Sequence, residues 1–254
     1  MEKRYIASFS GGKDSVATII LAKENKEPLD TIIFSEVMFD KDVSGELPEH
    51  IEFIRNQCKP LFESWGYKFE ILRAEKTYMD CFNHIVTRGP RKGMRVGFPM
   101  AGKCSINRDC KLKPIKDYLK NQKEEIVQYI GIAADEPKRL KRLDGTNKIS
   151  LLAKYGYTEE MATELCKEYN LLSPIYNFAR RGGCWFCPYA KNEELKNFRN
   201  KHKEIWERFL ELENEKELVG SIWNLLTKTT LAKKEEYFLL EENQMTIFDF
   251  IKDN

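Results

Sequence analysis

The chain has 254 residues, 42% hydrophobic and 32% charged, enough apolar mass to bury a core and too much for a disordered chain. Its 42 basic and 40 acidic side chains leave a net charge of +2, which excludes a protein that coats nucleic acid by bulk charge alone. No apolar run reaches the roughly 20 residues that span a bilayer, and Met1-Glu2-Lys3-Arg4 leads straight into a strand-like run without a secretory core, so the expectation is a cytoplasmic protein with no membrane contact.

The elements alternate along the first half. Residues 4–9 read as a strand, 14–24 as a helix and 31–37, rich in β-branched side chains, as a second strand. From Pro48 to Trp65, Ile51, Ile54, Cys58, Leu61, Phe62 and Trp65 recur near helical spacing, and Pro60 is expected to kink or end that helix. Residues 67–72 and 126–132 read as further strands. Strands separated by helical stretches predict an α/β fold: a parallel sheet with helices on both faces and ligands outside the carboxyl ends of the strands. Residues 86–113 are basic, rich in Gly and Pro and loop-like, and from about 158 onward the pattern is mostly helical. The expected division is an α/β nucleotide-binding domain at 1–157, a helical part at 158–240 and a tail at 241–254.

The first strand empties into Ser10-Gly11-Gly12-Lys13-Asp14-Ser15, and Val16 to Ala22 continue as a helix. Adjacent glycines permit positive φ and close approach of a ligand to the backbone, and the helix N-terminus presents N–H groups to an anion. Ser10 and Ser15 offer hydroxyls, Lys13 a point charge, and Asp14 a helix cap or a carboxylate for Mg2+. The GxxxxGK[ST] spacing of the Walker loop is absent. The predicted ligand is a polyphosphate or sulfate, above all ATP.

Seven cysteines in a chain expected to sit in a reducing compartment point to metal ligands or reactive thiols rather than disulfides. Cys184-x-x-Cys187, framed by Gly182-Gly183 and Pro188, forms a two-thiolate hook, and Cys104 and Cys110 are candidates for two further ligands. Arg180 and Arg181 stand ready to offset thiolate charge. Four thiolates suit either tetrahedral zinc or a [4Fe–4S] cluster. Cys58, Cys81 and Cys166 sit in apolar contexts and read as buried small hydrophobes.

Other groups carry weaker signals. Glu36, Asp40 and Asp42 follow the second strand toward the ligand edge of the sheet, although acidic loop residues are common. Arg88, Arg91, Lys92, Arg95 and Lys103 suit either a basic rim for nucleic acid or a solvated loop. His50, His84 and His202 fall at no triad or metal spacing and are given no catalytic role. Asp135-Glu136 with Lys138, Arg139, Lys141 and Arg142 follows a strand end and reads, on charge alone, as a solvated helix start. In the tail, Gln244 followed by Ile247, Phe248 and Phe250 resembles the short peptides that DNA sliding clamps bind; the competing reading is a tail docked on its own domain.

Ser10-Gly11-Gly12-Lys13-Asp14-Ser15 resembles the SGGxDS signature of the PP-loop, or N-type, ATP pyrophosphatases. Within that superfamily the chain is similar to the phosphoadenosine phosphosulfate reductase family, through the loop, Gly131 to Arg139, Cys110-Lys111-Leu112-Lys113-Pro114, and Gly183-Cys184-Trp185-Phe186-Cys187-Pro188. The resemblance implies an adenine nucleotide alpha hydrolase-like fold and ATP-dependent adenylation of a substrate with release of pyrophosphate. It implies nucleotide contacts at Gly131 and Arg139 and tips the metal toward [4Fe–4S], with Cys104, Cys110, Cys184 and Cys187 as ligands. The spacing of Cys104 and Cys110 departs from the adjacent pair frequent in that family. Sulfonucleotide reductases of the family attack with a cysteine near the C-terminus, whereas no cysteine follows Cys187. The expected function is therefore sulfur transfer to an activated acceptor, such as nucleic-acid thiolation or phosphorothioation. A sulfonucleotide reductase and a zinc-stapled nucleotide-binding module without turnover are the alternatives.

Overall fold

A computed structural model of the chain describes residues 3–99 and 104–252, with side chains described up to 243. Its strands are β1 (Lys3–Phe9), β2 (Thr31–Glu36), β3 (Lys68–Arg73), β4 (Arg95–Gly97), β5 (Glu125–Ile130), β6 (Lys148–Ile149) and β7 (Leu218–Gly220). Two compact units emerge: residues 1–77 with 107–184, and residues 78–106 with 185–254. The expected boundary at 157 does not coincide with this division. Residues 158–184 pack with the sheet, because the helix Glu159–Glu168 buries Ala162, Leu165 and Cys166 against the helix Lys13–Glu24.

The first unit is built on a five-stranded sheet in the order β3-β2-β1-β5-β6, with every pair parallel. Its core register sets Ala7 beside Ile32 on one side and Tyr129 on the other. All six residues of β2 are buried, as a parallel strand covered on both faces requires. The chain runs outward from β1 to β2 and β3, then returns across β1 to β5. Right-handed crossovers of opposite direction place their helices on opposite faces, so this is the predicted parallel α/β fold with helices on both sides. The helix Lys13–Glu24 is buried without a break from Ser15 to Ala22, sandwiched between the sheet and the helices Leu151–Lys154 and Glu159–Glu168. Pro60 does not end its helix. A π-helical stretch, Ile54–Cys58, widens the turn between Pro48–Phe53 and Lys59–Ser64 just ahead of the proline, a local distortion of the kind that accommodates a residue without an N–H.

The second unit carries the short parallel pair β4–β7 and the helices Asn192–Lys201, Lys203–Glu211 and Leu231–Lys252. Its core is aromatic. Trp185 stacks on Phe198 with ring centroids 4.8 Å apart, Phe186 lies 4.3 Å from Tyr78, and Phe209 meets Tyr78, Phe98 and Trp185 edge-on. The backbone is helical through residue 252, so the expected tail at 241–254 continues a helix for most of its length. The side chains of Gln244, Ile247, Phe248 and Phe250 lie outside the described residues, as does Lys103. No helix among the described residues is long and apolar enough to cross a membrane.

Candidate functional site: a glycine loop at the crossover point of the sheet

The loop Ser10–Ser15 follows β1, and Gly131 follows β5, the neighbour on which the chain direction reverses. The carboxyl ends of such a strand pair frame the ligand crevice of open α/β sheets. The two segments touch. A Cβ built on Gly131 would stand 2.8 Å from the carbonyl carbon of Asp14 and 2.8 Å from the amide nitrogen of Ser15, so only glycine lets β5 close on the loop.

The loop is held by its own hydroxyls. Ser15 Oγ donates to Gly12 O at 2.8 Å and accepts the Ser10 N–H at 3.2 Å, and the hydroxyls of Ser10 and Ser15 are 3.2 Å apart. Gly11 takes φ of 73°, and a Cβ there would meet Ile54 and His50 within 2.7 Å. Gly12, at the cap position of the helix, makes no side-chain bond to it, so no cap of the loop's own fills the anion-attracting end.

Charged groups ring this end. Lys13 Nζ lies 2.7 Å from Asp14 Oδ1 and 3.2 Å from Glu159 Oε2. Burial opposes the lysine charge, but the hydrogen bonds and charges of Asp14 and Glu159 outweigh it and hold Lys13 above the usual lysine range. Burial raises Asp14 above the ordinary carboxylate range against the pull of Lys13, and Glu159 and Glu136 add to the rise. Asp135 accepts the Glu159 N–H at 3.1 Å. Arg139 Nη1 donates to Glu136 Oε2 at 2.6 Å. Lys138, Lys141 and Arg142 are exposed, as the solvated reading of that charge run predicts.

Three side chains that sequence reasoning passed over brace the loop. His50, fully buried, has Nε2 2.8 Å from Ser10 O and Nδ1 2.8 Å from Ser173 Oγ. The Tyr176 hydroxyl accepts the Lys13 N–H at 2.9 Å, and the Cys166 thiol donates to Lys13 O at 3.2 Å. Burial pushes the Cys166 thiol up to about 12 and Cys58 higher still, so both stay protonated, as expected of buried hydrophobes. These partners lie 40 to 163 residues from the loop, beyond any local motif.

Glu36 is engaged by two arginines. Its carboxylate is fully buried, with Arg55 Nη2 at 2.7 Å from one oxygen and Arg73 Nη2 at 2.8 Å from the other. A charge buried at a strand end must be paired, and here both oxygens are consumed. Asp40 accepts the N–H groups of Asp42 and Val43 at 2.9 and 2.7 Å and so organises its own turn.

Cys110, buried on the π-helical stretch Asn107–Leu112, and Cys184 belong to the α/β unit; Cys104 and Cys187 belong to the second. Among the described residues no three His, Cys, Asp or Glu side chains stand gathered around a common point for a metal ion. The donor types nonetheless suit a thiolate-bound centre. Lys111 is held above the usual lysine range by the buried Glu46 carboxylate 3.7 Å away, against the opposing effect of its burial, and further by Cys184. Within the second unit, Trp185 and Phe186 of the hook are buried in the aromatic core, Trp223 Nε1 donates to Phe186 O at 3.1 Å, and Asn224 Nδ2 donates to Pro188 O at 2.7 Å. Arg88, Arg91 and Lys92 are exposed, whereas Arg95 pairs with Glu215 at 2.6 Å.

No family model matches the chain. Two uncharacterized proteins of Methanocaldococcus jannaschii are similar to it. One is 22% identical over 219 residues, 82% of this chain and 41% of the relative; the other is 23% identical over 236 residues, 85% and 50% respectively. The chain thus spans half or less of the length of these curated relatives. A solved structure, the U34-tRNA thiolase NcsA of Methanococcus maripaludis with its [4Fe–4S] cluster, is matched over 85% of this chain and 73% of that one, at 17% identity and a TM-score of 0.37.

Proposed function

We propose that the chain is an ATP-dependent adenylating enzyme of the PP-loop type, acting in sulfur transfer. One observation carries the reading: a helix N-terminus whose cap residue, Gly12, has no side chain, reached through a positive-φ glycine, lies at the crossover point of a parallel sheet with Lys13 beside it. Loop amides, the hydroxyls of Ser10 and Ser15, and Lys13 would bind the phosphates of ATP. As an acceptor oxygen bonds to the α-phosphorus, the bond to the bridging oxygen breaks and the charge gathers on departing pyrophosphate. Fixed amide dipoles and the lysine ammonium stabilise that charge without reorganising. The phosphates also draw Lys13 from Glu159, and Asp14 is the carboxylate we assign to Mg2+. Arg139, paired with Glu136 at the edge of the same crevice, is assigned to a phosphate or substrate contact.

Cys104, Cys110, Cys184 and Cys187 are the proposed ligands of a [4Fe–4S] cluster, with zinc as the alternative occupant. When bound, such a cluster supplies a site that holds and delivers sulfur. The acceptor class we favour is nucleic acid, with exposed Arg88, Arg91 and Lys92 as phosphate contacts. The chemistry belongs in a reducing cytosol, where seven cysteines stay available as thiols. The test is pyrophosphate release from ATP by the anaerobically purified chain in the presence of tRNA or DNA. Release that falls at least a hundredfold in Lys13→Ala supports the reading; release unaffected by Lys13→Ala and Asp14→Ala removes it.

A further inference from the structure

The Tyr176 hydroxyl stands where the phosphate loop ends and the helix begins, yet it comes from a separate 3-10 turn, Pro174–Asn177, 163 residues away. Its oxygen accepts the Lys13 N–H at 2.9 Å, and a Cβ on Gly12 would come within 3.3 Å of it. That bond uses one lone pair of the phenol and leaves the O–H itself unspent: among the described residues Tyr176 donates to nothing. Accepting from an amide at a helix N-terminus polarises the phenol and strengthens it as a donor. We infer that Tyr176 is a binding residue for the transferred nucleotide, donating its hydroxyl proton to a phosphate oxygen and so carrying the reach of the Lys13 amide outward into the crevice.

The surroundings fit that role. Burial holds the Tyr176 phenol above its ordinary range, against the pull of the Lys13 N–H, so the proton is present at neutral pH. The turn that carries it is itself fixed, because Ser173 bonds to His50, which bonds to Ser10. The donor is therefore set in place before the anion arrives, and little ordering cost falls on binding. Lys13, by contrast, is engaged by two carboxylates and must exchange partners when a phosphate enters. Tyr176 would gain a phosphate contact without giving up an existing one, since its bond to the Lys13 N–H uses only a lone pair.

This inference rests on the nucleotide reading of the loop, and the experiment separates the two. Titration calorimetry of the full chain with ATP, inorganic pyrophosphate and adenosine would compare the native protein with Tyr176→Phe, which removes the hydroxyl alone. A hydrogen bond to a charged phosphate predicts affinity for ATP and for pyrophosphate about tenfold weaker in Tyr176→Phe, with adenosine affinity unchanged. Native protein that binds ATP and pyrophosphate, alongside a Tyr176→Phe variant that binds both as well or better, overturns the assignment of Tyr176 while leaving the loop reading intact. Native protein that binds neither overturns both. Equal weakening for all three ligands would mark a general disturbance of the fold and also overturn it.

Discussion

His50 Nε2 lies 2.8 Å from the carbonyl oxygen of Ser10. A carbonyl only accepts, so Nε2 carries the proton, and in the neutral ring Nδ1 accepts from the Ser173 hydroxyl. The imidazole thus locks the entrance of the glycine loop to the turn that bears Tyr176. Burial holds the ring below the usual histidine pKa, with the Glu46 carboxylate and the Ser10 carbonyl pulling the other way and Lys111 adding to the depression. The folded state therefore resists protonation more than the unfolded chain does. This contribution to stability is complete above the unfolded value of ~6.5 and is lost as pH falls toward the depressed folded value. Melting temperatures measured from pH 8 to pH 5 are expected to fall more steeply in the native chain than in His50→Gln. Parallel curves would show that His50 does not titrate between the two states.

Glu36 is expected to be a stability residue. Its buried carboxylate is held by Arg55 and Arg73, whose side chains are 41% and 49% exposed. Breaking a buried pair by removing one partner costs ~3–5 kcal/mol, and the exposure of both arginines places Glu36→Gln near the lower figure. Urea unfolding checks this: a loss near ~3 kcal/mol is expected, with affinity for ATP per folded molecule retained. A variant of native stability that no longer binds ATP would return Glu36 to the site.

Gly131→Ala places a methyl 2.8 Å from backbone atoms of Asp14 and Ser15. Backbone cannot swing aside as a side-chain tip can, so the loop must shift away from β5. The expected result is ATP affinity reduced at least tenfold, measured by calorimetry, together with a destabilisation of ~1–3 kcal/mol from the overpacked contact. An alanine variant with native affinity would show that the loop geometry is not set from β5.

The cysteines divide into two groups with different expected behaviour. Anaerobic purification followed by iron, sulfide and zinc analysis should find iron and sulfide in the native chain, lost in Cys184→Ser and Cys187→Ser. Cys58→Ser and Cys166→Ser should retain both, because those thiols are buried and held protonated in the α/β core. Stoichiometric zinc without sulfide would replace the cluster by its alternative.

The parallel sheet was legible because its signals are local. The apolar runs of β1, β2, β3 and β5 stand a helix apart, and the glycines of Ser10–Ser15 mark the turn from β1 into its helix within six residues. The braces were not legible. Histidine in an amphipathic helix and tyrosine after a proline carry no short-range mark, and what makes them braces of the loop is packing across 40 and 163 residues. Glu36 stayed open for the same reason: a strand's carboxyl end suits a ligand contact or a common acidic loop residue alike, and only the tertiary approach of Arg55 and Arg73 shows both its oxygens already bonded. The expected boundary at 157 followed the change from alternating to helical pattern. The helix Glu159–Glu168 nevertheless covers the helix that bears the loop, because its apolar stripe needs that surface. The short strands β6 and β7, two and three residues long, lie below the length at which alternation is visible.

A crystal structure of the chain with a non-hydrolysable ATP analogue and Mg2+ tests the central claim most directly. The account predicts phosphate density against the amides at the start of the helix Lys13–Glu24, with Lys13 turned from Glu159 to the ligand and the Tyr176 hydroxyl within hydrogen-bonding distance of a phosphate oxygen. An analogue bound elsewhere, or a crevice beside Gly131 left empty at saturating concentration, would contradict it.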